Sequence, residues 1–117
     1  EEIYNAGKVL YSKIEEIIEN NPDVDYLLII EGNTQRTETN FIKIPNEGYK
    51  LSYKRALGLY NYWISRGLNF RELGTQCEII LAGSGYFGQS RDHKNERKNR
   101  RFTIQITSKV GKLLETK

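Results

Sequence analysis

The segment from Ser52 to Gly67 reads SYKRALGLYNYWISRG and predicts the amphipathic helix around which the fold is built. Its apolar side chains recur three, four, seven and eight residues apart, a spacing that is typical of a helix with one buried face. These side chains are Ala56, Leu59, Tyr60, Trp63 and Ile64. The hydroxyl of Ser52 is suited to cap the first turn, and Gly67 is suited to end the helix in a left-handed conformation.

A second helix is predicted upstream of this segment. Apolar residues recur at helical spacing from Ile3 to Ile18, with lysine and glutamate on the opposite face. The helix is expected to end before Pro22, because proline disfavours helical geometry in the residue that precedes it. Apolar or alternating segments also predict three strands. They are 26–30, 77–82 and 101–107.

The order of these elements predicts the fold class. Helices alternate with strands along the chain, with a short helix expected at 92–99, which indicates an α/β sandwich with the helices on one face of a small sheet. The strand at 26–30 is apolar on both faces, as expected for the middle of a sheet covered by helices. The polar stretch 35–48 is interpreted as a loop with a short extended piece at 41–44.

Length and composition limit the class of protein. The 117 residues leave room for one domain, predicted at 1–110 with a tail at 111–117, and exclude a two-domain enzyme. With 38% hydrophobic and 28% charged residues, the composition is typical of a globular domain. The longest apolar run, Leu27–Ile30, is far shorter than the ~18 residues that a bilayer-spanning helix needs. Since the chain has no methionine, it is expected to be a piece of a longer precursor.

Residue types that carry catalysis or bind metals are scarce. Cys77 is the single cysteine and His93 the single histidine, so no disulfide, zinc cluster or nucleophile–histidine pair is expected. Gly83–Gly88 matches the G-x-G-x-x-G pattern of a dinucleotide-binding loop, but no periodic helix follows it and the acidic residue that such a loop requires is missing. A tight turn is the favoured interpretation. The sequence therefore predicts no enzyme, no cofactor and no metal site.

Positive charge is concentrated in one segment. The net charge is +3, and 91–101 alone carries +4 from six basic and two acidic residues, which leaves −1 for the rest of the chain. Such a patch can hold phosphates, and the neighbouring Tyr86 and Phe87 can stack on bases. The acidic residues within the patch argue against this use. Nucleic-acid binding is therefore the weakest hypothesis, behind a solvated face or a carboxylate-binding site.

Four short motifs occur along the chain. They are Ile29-Ile30-Glu31-Gly32-Asn33-Thr34, Leu51-Ser52-Tyr53-Lys54-Arg55-Ala56, Ala82-Gly83-Ser84-Gly85 and Asn99-Arg100-Arg101-Phe102. In that order they resemble the strand ending in G-H-T-D, the L-S-x-x-R-A helix, the G-x-G loop and the N-R-R-V strand entry of the OmpA-like domain. This domain is the C-terminal peptidoglycan-associated module of OmpA, Pal and the stator protein MotB. The resemblance covers about residues 1–107.

The resemblance implies a two-layer βαβαβ-type sandwich on a small mixed sheet that binds the peptide stem of peptidoglycan non-covalently. The resemblance implies that Arg55 binds a carboxylate of the stem's diamino acid. A guanidinium suits this role because it offers two parallel donors to a carboxylate and keeps its charge. A helix that begins beside Ser52 would add free amides and a favourable dipole for the same anion. The alternative for Arg55 is an exposed charge on the polar face of the helix. The other implied site residues are Asn33, Thr34, Gln35, Glu38, Asn99 and Arg101.

The chain departs from the family pattern at several positions. Gln35 stands where the family has the aspartate that pairs with the amine of the diamino acid, so an ammonium group there loses its charged partner. Glu38 or Glu31 is a candidate substitute, and Gln35 also suits a stem whose amine is altered. Gly48 displaces the family's asparagine before L-S, and Gln89 replaces its proline after G-x-G. The first strand of the family fold is expected to lie outside this fragment.

Two functions of different class follow from the resemblance. In the first, the chain anchors a parent protein of the outer or inner membrane to the wall, on the periplasmic side of the bacterial cell envelope. In the second, the chain is an OmpA-like module that no longer holds a stem peptide and serves protein–protein assembly, with a second copy or with another envelope protein. Contact with a membrane is expected only through parts of the parent protein outside this chain.

Overall fold

The computed structural model describes residues 1–36, 40–87 and 101–109. Within these ranges the helices are α1 (Glu2–Asn20), α2 (Asn40–Lys43) and α3 (Pro45–Ser65), and a short 3-10 helix covers Phe70–Leu73. The strands are β1 (Tyr26–Gly32), β2 (Cys77–Gly83) and β3 (Phe102–Ser108). The helices in these ranges all fall short of the length and apolarity that crossing a membrane requires.

The three strands form one mixed sheet in the order β2-β1-β3. Tyr26, which starts β1, donates its N–H to the carbonyl of Gln76, just before β2, so these two strands are parallel. Asn33, just after β1, donates its N–H to the carbonyl of Arg101, just before β3, so those strands are antiparallel. The predicted α/β class with a small mixed sheet is confirmed.

Burial alternates along β1. Leu28, Ile30 and Gly32 are buried, and the residues between them are half-buried. Only one face of β1 is therefore fully covered, although its residues are apolar on both faces, and this agrees with the prediction of helices on one face of the sheet. The apolar run reflects the position of β1 between two other strands, with helices needed on one side only.

The beginning of α3 differs from the prediction. The helix begins at Pro45 rather than at Ser52, and α2 occupies the stretch that the sequence predicted to be extended. Proline fits the first turn because its missing N–H would have no helical partner there, and Glu47 adds a favourable negative charge near the same end. Gly48 lowers the helix propensity of this turn. Glycine is nevertheless needed here, because a Cβ at this position would come within 2.6 Å of the Tyr86 ring.

The other end of α3 follows the prediction. Gly67 has a φ of 89°, and its N–H donates to the carbonyl of Ile64 at 3.0 Å. Leu68 donates its N–H to the carbonyl of Trp63 at 2.8 Å. This left-handed closure provides partners for carbonyls that the end of a helix would otherwise leave unpaired.

The chain divides into two compact units. The first comprises Glu1–Leu28, Asn61–Ile80 and the stretch from Gln105 onward, and the second comprises Ile29–Tyr60 and Leu81–Ile104. Buried apolar side chains form the core of the first unit. They are Ile14, Leu28, Trp63, Phe70 and Cys77.

Trp63 lies at the centre of the first unit's core. Its ring centroid is 5.2 Å from that of Phe70, which in turn lies 5.2 Å from that of Tyr11. The indole N–H donates to the carbonyl of Ile3 at 2.9 Å. A Cβ at Gly7 would come within 2.7 Å of indole Cε2, so α1 reaches Trp63 only because position 7 lacks a side chain.

The core of the second unit contains polar as well as apolar side chains. The buried apolar residues include Ile30, Ala56, Leu59, Tyr60 and Tyr86. Asn33, Thr34 and Ser52 are buried among the polar residues, each at most 2% exposed. Burial of a polar group costs free energy unless it is hydrogen-bonded. Asn33 and Ser52 meet this cost with hydrogen bonds to neighbouring loops and strands.

Candidate functional site

The ends of β1 and β2 approach α3 closely within the second unit. A Cβ at Gly32 would overlap the carbonyl oxygen of Ser52 and come within 2.9 Å of its carbonyl carbon. A Cβ at Gly83 would lie 2.5 Å from both the Ser52 hydroxyl oxygen and the Tyr53 amide nitrogen. Glycine at both strand ends therefore lets the loops that follow them pack directly on the helix.

Ser52 lies inside α3 and is fully buried. Its hydroxyl accepts the N–H of Gly85 at 2.9 Å and donates to the carbonyl of Tyr49 at 3.0 Å. The prediction that Ser52 caps the helix is wrong, and so is the predicted set of free amides beside it, because α3 begins about two turns earlier at Pro45. Ser52 instead holds the G-x-G loop against the helix, where Gly85 has a φ of 61°.

Asn33 links the end of β1 to its neighbours on both sides. Its side-chain amide donates to the carbonyl of Arg101 at 3.4 Å and to Thr103 Oγ1 at 3.3 Å. Its Oδ1 accepts the Ser84 hydroxyl at 2.6 Å. Its backbone carbonyl accepts a bond from Arg55 at 3.4 Å. Asn33 therefore orders the loop that carries the other candidate residues.

Thr34 and Gln35 follow Asn33 in this loop. Thr34 is 1% exposed and donates its N–H to the carbonyl of Gly85 at 3.0 Å, but its hydroxyl has no partner in the described part of the chain. An unpaired buried hydroxyl costs about 1–3 kcal/mol, so a ligand atom that formed a hydrogen bond with it would remove this cost and gain affinity. Gln35 is half-buried, and its backbone carbonyl accepts the Asn40 side-chain amide at 3.3 Å.

Arg55 is half-buried on α3, beside this loop. Its Nη1 donates to the carbonyl of Asn33 at 3.4 Å, and none of the carboxylates in the described ranges pairs with it. A guanidinium has five N–H donors, so most of those on Arg55 have no protein partner within these ranges. Arg55 therefore places a permanent positive charge at the backbone carbonyl of Asn33, the residue that precedes Thr34.

Three residues that organise the site were not predicted from the sequence. Arg36 donates from Nε to the carbonyl of Tyr86 at 3.0 Å, and its guanidinium lies 5.5 Å from the Phe87 ring centroid. Ser84 and Thr103 are the other two, through their bonds to Asn33. The sequence offered two signals of these residues, namely a polar residue inside the G-x-G loop and an arginine directly after Gln35. Neither carries a periodic pattern that would mark it.

Several predicted residues lie outside the described ranges. They are Glu38 and Asn99 of the predicted site, together with His93 and the basic segment up to residue 100. Arg101 is described, with an exposed side chain, and its backbone carbonyl accepts two bonds from Asn33. The structure therefore brings Asn33, Thr34, Gln35, Ser52 and Arg55 together, with the backbone of Arg101 beside them.

In the described part of the chain, potential metal ligands do not gather near these side chains, and the single cysteine lies elsewhere. Cys77 is buried in the first unit, where burial raises the pKa of its thiol and so keeps it protonated. Across 1–36, 40–87 and 101–109, no group of three or more histidine, cysteine, aspartate or glutamate side chains converges as metal ligands would.

The described part of the chain has the fold of OmpA-like domains. The features that define it are the layered helices, the mixed sheet and the glycines at the strand ends. The fold is shown by comparison with the periplasmic domain of MotB from Helicobacter pylori. The two structures align with a TM-score of 0.54 at 19% sequence identity, over 92% of this chain and 71% of that chain. No protein-family model matches the sequence, and no curated protein matches it.

Two other solved structures align at lower scores. A further crystal form of the C-terminal domain of Helicobacter pylori MotB gives a TM-score of 0.49 at 21% identity, over 92% of this chain and 77% of that chain. An outer membrane protein from Borrelia burgdorferi gives 0.48 at 19% identity, over 92% and 72%.

Proposed function

We propose that this chain binds the peptide stem of peptidoglycan non-covalently through Arg55 and the loop after β1. The observation that carries the proposal is the state of the Arg55 guanidinium. It is half-buried, makes one hydrogen bond of 3.4 Å to Asn33, and has no carboxylate partner in the described part of the chain. A partly desolvated cation without a counter-charge is unfavourable, so a bound carboxylate would stabilise it.

The neighbouring groups fit a carboxylate ligand. A carboxylate accepts two parallel N–H bonds from a guanidinium, and a charge-assisted pair of this kind is short and directional. The Thr34 hydroxyl is buried and has no partner among the described residues, and it would donate to one of the same oxygens once the loop admits the ligand. Asn33 fixes the loop that carries Thr34 through its bond with Ser84, and Ser52 holds the neighbouring G-x-G loop through its bond with Gly85.

The other end of a diamino acid is an amine, which meets a neutral residue here. Gln35 can accept a hydrogen bond from an ammonium group but adds no charge, and a bond to a charged acceptor is worth about 1 kcal/mol more. Glu31, half-buried at the end of β1, and Glu38 are the proposed sources of negative charge. Asn99 and Arg101 complete the proposed site.

The proposal includes a cellular setting. The MotB domain that shares the fold is periplasmic, and this supports a location on the periplasmic side of a bacterial envelope, with the membrane anchor in another part of the parent protein. We propose one wall-binding domain at 1–110 with a tail at 111–117. Its role is binding, with no reaction, cofactor or metal.

A second candidate function is protein–protein assembly. Large apolar side chains stay exposed on the second unit, with Ile42 68%, Ile44 47% and Leu51 43% exposed. Exposed apolar side chains that lie near one another favour a partner surface. Sedimentation analysis distinguishes the two functions, because assembly predicts an oligomer that grows with concentration. A chain that stays monomeric and is captured only by sacculi would contradict assembly.

Co-sedimentation with purified sacculi tests wall binding. We expect the wild-type chain to pellet with sacculi and Arg55→Ala to stay in the supernatant, while Arg55→Lys keeps the charge and retains part of the binding. Gln35→Asp is expected to strengthen binding to diaminopimelate stems by about fivefold, the equivalent of 1 kcal/mol. Stems with ornithine or lysine show whether Gln35 selects the diamino acid.

Arg66→Ala is the matched control. Arg66 is an exposed arginine of the first unit, so its removal changes the net charge equally and should leave binding unchanged. Circular dichroism and urea unfolding of each variant show that a loss of binding is not a loss of fold. Pelleting of Arg55→Ala at the wild-type level would refute the role of Arg55. A wild type that stays in the supernatant would refute wall binding.

A further inference from the structure

A groove of about 310 Å³ runs along the first turns of α3 in the second unit. Its lining consists of Ile44, Glu47, Lys50, Leu51, Lys54 and Tyr86. Leu51 precedes Lys54 by three residues and Arg55 by four, so on the helix surface it neighbours both. The groove therefore lies next to the proposed carboxylate site at Arg55, and its volume is at the lower end of ligand pockets.

The groove has an apolar wall and an uncompensated positive charge. Ile44 and Leu51 are 47% and 43% exposed, and the buried Tyr86 also lines the groove. Lys50 pairs with Glu47 at 3.7 Å, so these two charges offset each other. Lys54 is exposed and has no carboxylate partner among the described residues. The groove thus suits a ligand segment that combines a carboxylate with small apolar groups.

We propose that this groove is a second carboxylate subsite, which binds the glutamate of the stem peptide through Lys54. The inference rests on the proposed function, since it assumes that Arg55 holds the diamino acid. In a stem peptide the glutamate is joined to the diamino acid through its side-chain carboxyl, so its α-carboxylate is free unless it is amidated. The methyl group of the adjoining alanine then meets Ile44 and Leu51.

The spacing on both sides supports this arrangement. Lys54 and Arg55 are consecutive residues of α3, so their positions differ by about 1.5 Å along the helix axis and by about 100° around it. The linkage through the glutamate side chain makes the step to the diamino acid longer than the ~3.5 Å of an ordinary extended peptide unit. Carboxylates on neighbouring residues of the stem can therefore reach cations on neighbouring positions of α3. Such a subsite distinguishes stems by the state of the glutamate: the carboxylate form gains the Lys54 contact, and the amidated form does not.

Soluble stem tripeptides test the inference directly. Titration calorimetry compares the peptide with a free glutamate α-carboxylate against the peptide in which that group is an amide, each with the same diamino acid. We expect the wild type to bind the carboxylate form about twofold to fivefold more tightly, as for an exposed ion pair. Lys54→Gln should bind both forms equally. The preference should also shrink as salt is raised.

Lys13→Gln is the matched control. Lys13 is an exposed lysine in a groove of α1, in the first unit, and its removal should leave the preference intact. Equal binding of the two peptides by the wild type, or an unchanged preference in Lys54→Gln, overturns the subsite. If binding in that case still depends on Arg55, the proposed function stands. Failure of the wild type to bind either peptide or sacculi overturns both.

Discussion

Replacing Gly32 with alanine is expected to destabilise the chain strongly, because the end of β1 has no room for a side chain. The new Cβ would overlap the carbonyl oxygen of Ser52 and lie 2.9 Å from its carbonyl carbon, whereas carbon–carbon contacts are normally at least about 3.5 Å. The obstacle is helix backbone, and the bonds from Ser52 and Arg55 hold that part of α3 against the loops. The strand end must therefore move away from the helix.

We expect the free energy of unfolding of Gly32→Ala to fall by about 2–3 kcal/mol, the upper range for overpacking. For a chain of this length the thermal midpoint then drops by about 10 °C. Gly58→Ala is the matched control, because a Cβ at Gly58 in α3 would meet no described residue within 4 Å apart from the adjoining backbone of the helix itself. Alanine there should stabilise the helix by about 0.5–1 kcal/mol. Urea and thermal unfolding measure both. A wild-type midpoint for Gly32→Ala would refute the close approach.

Two further predictions concern the first unit. Gly7→Ala brings a Cβ within 2.7 Å of the buried Trp63 indole, so the free energy of unfolding should fall by about 1–3 kcal/mol and the tryptophan emission should shift; unchanged emission and stability would contradict this packing. Burial raises the pKa of Cys77, so the folded chain keeps a thiol proton that the unfolded chain loses near pH 8.5. The stability that the protonated thiol contributes is complete below that pH and is lost as the pH rises through the folded-state pKa. Wild type should therefore lose stability above pH 8.5 relative to Cys77→Ala, and parallel pH profiles of the two would contradict it.

Elements with a strong local pattern are predicted well from the sequence. α1 ends at Asn20, before Pro22, and the three strands lie within a few residues of their predicted limits. Gly67 closes α3 as expected. These features depend on periodicity and on the backbone limits of proline and glycine, which act over a few residues.

The start of α3 shows where local reasoning fails. Pro45 and Gly48 lower helical propensity, so the pattern favours a helix that begins at Ser52. In the folded chain Gly48 packs against Tyr86 and Ser52 accepts the Gly85 N–H, and these contacts join segments about 35 residues apart. A serine suited to a helix cap therefore becomes a buried bridge between the helix and a loop.

The candidate site divides in the same way. The choice of Arg55, Thr34 and Gln35 as candidate site residues comes from motifs that can be read along the chain. The same motifs show glutamine at position 35, where the family that the chain resembles has aspartate. Folding alone reveals that Arg55 lacks a carboxylate partner in the described ranges, that the Thr34 hydroxyl is buried unpaired, and that Arg36 binds the Tyr86 carbonyl. The reason is physical: periodicity reports which face of an element is apolar, whereas the partner of a polar group depends on distant segments meeting in space.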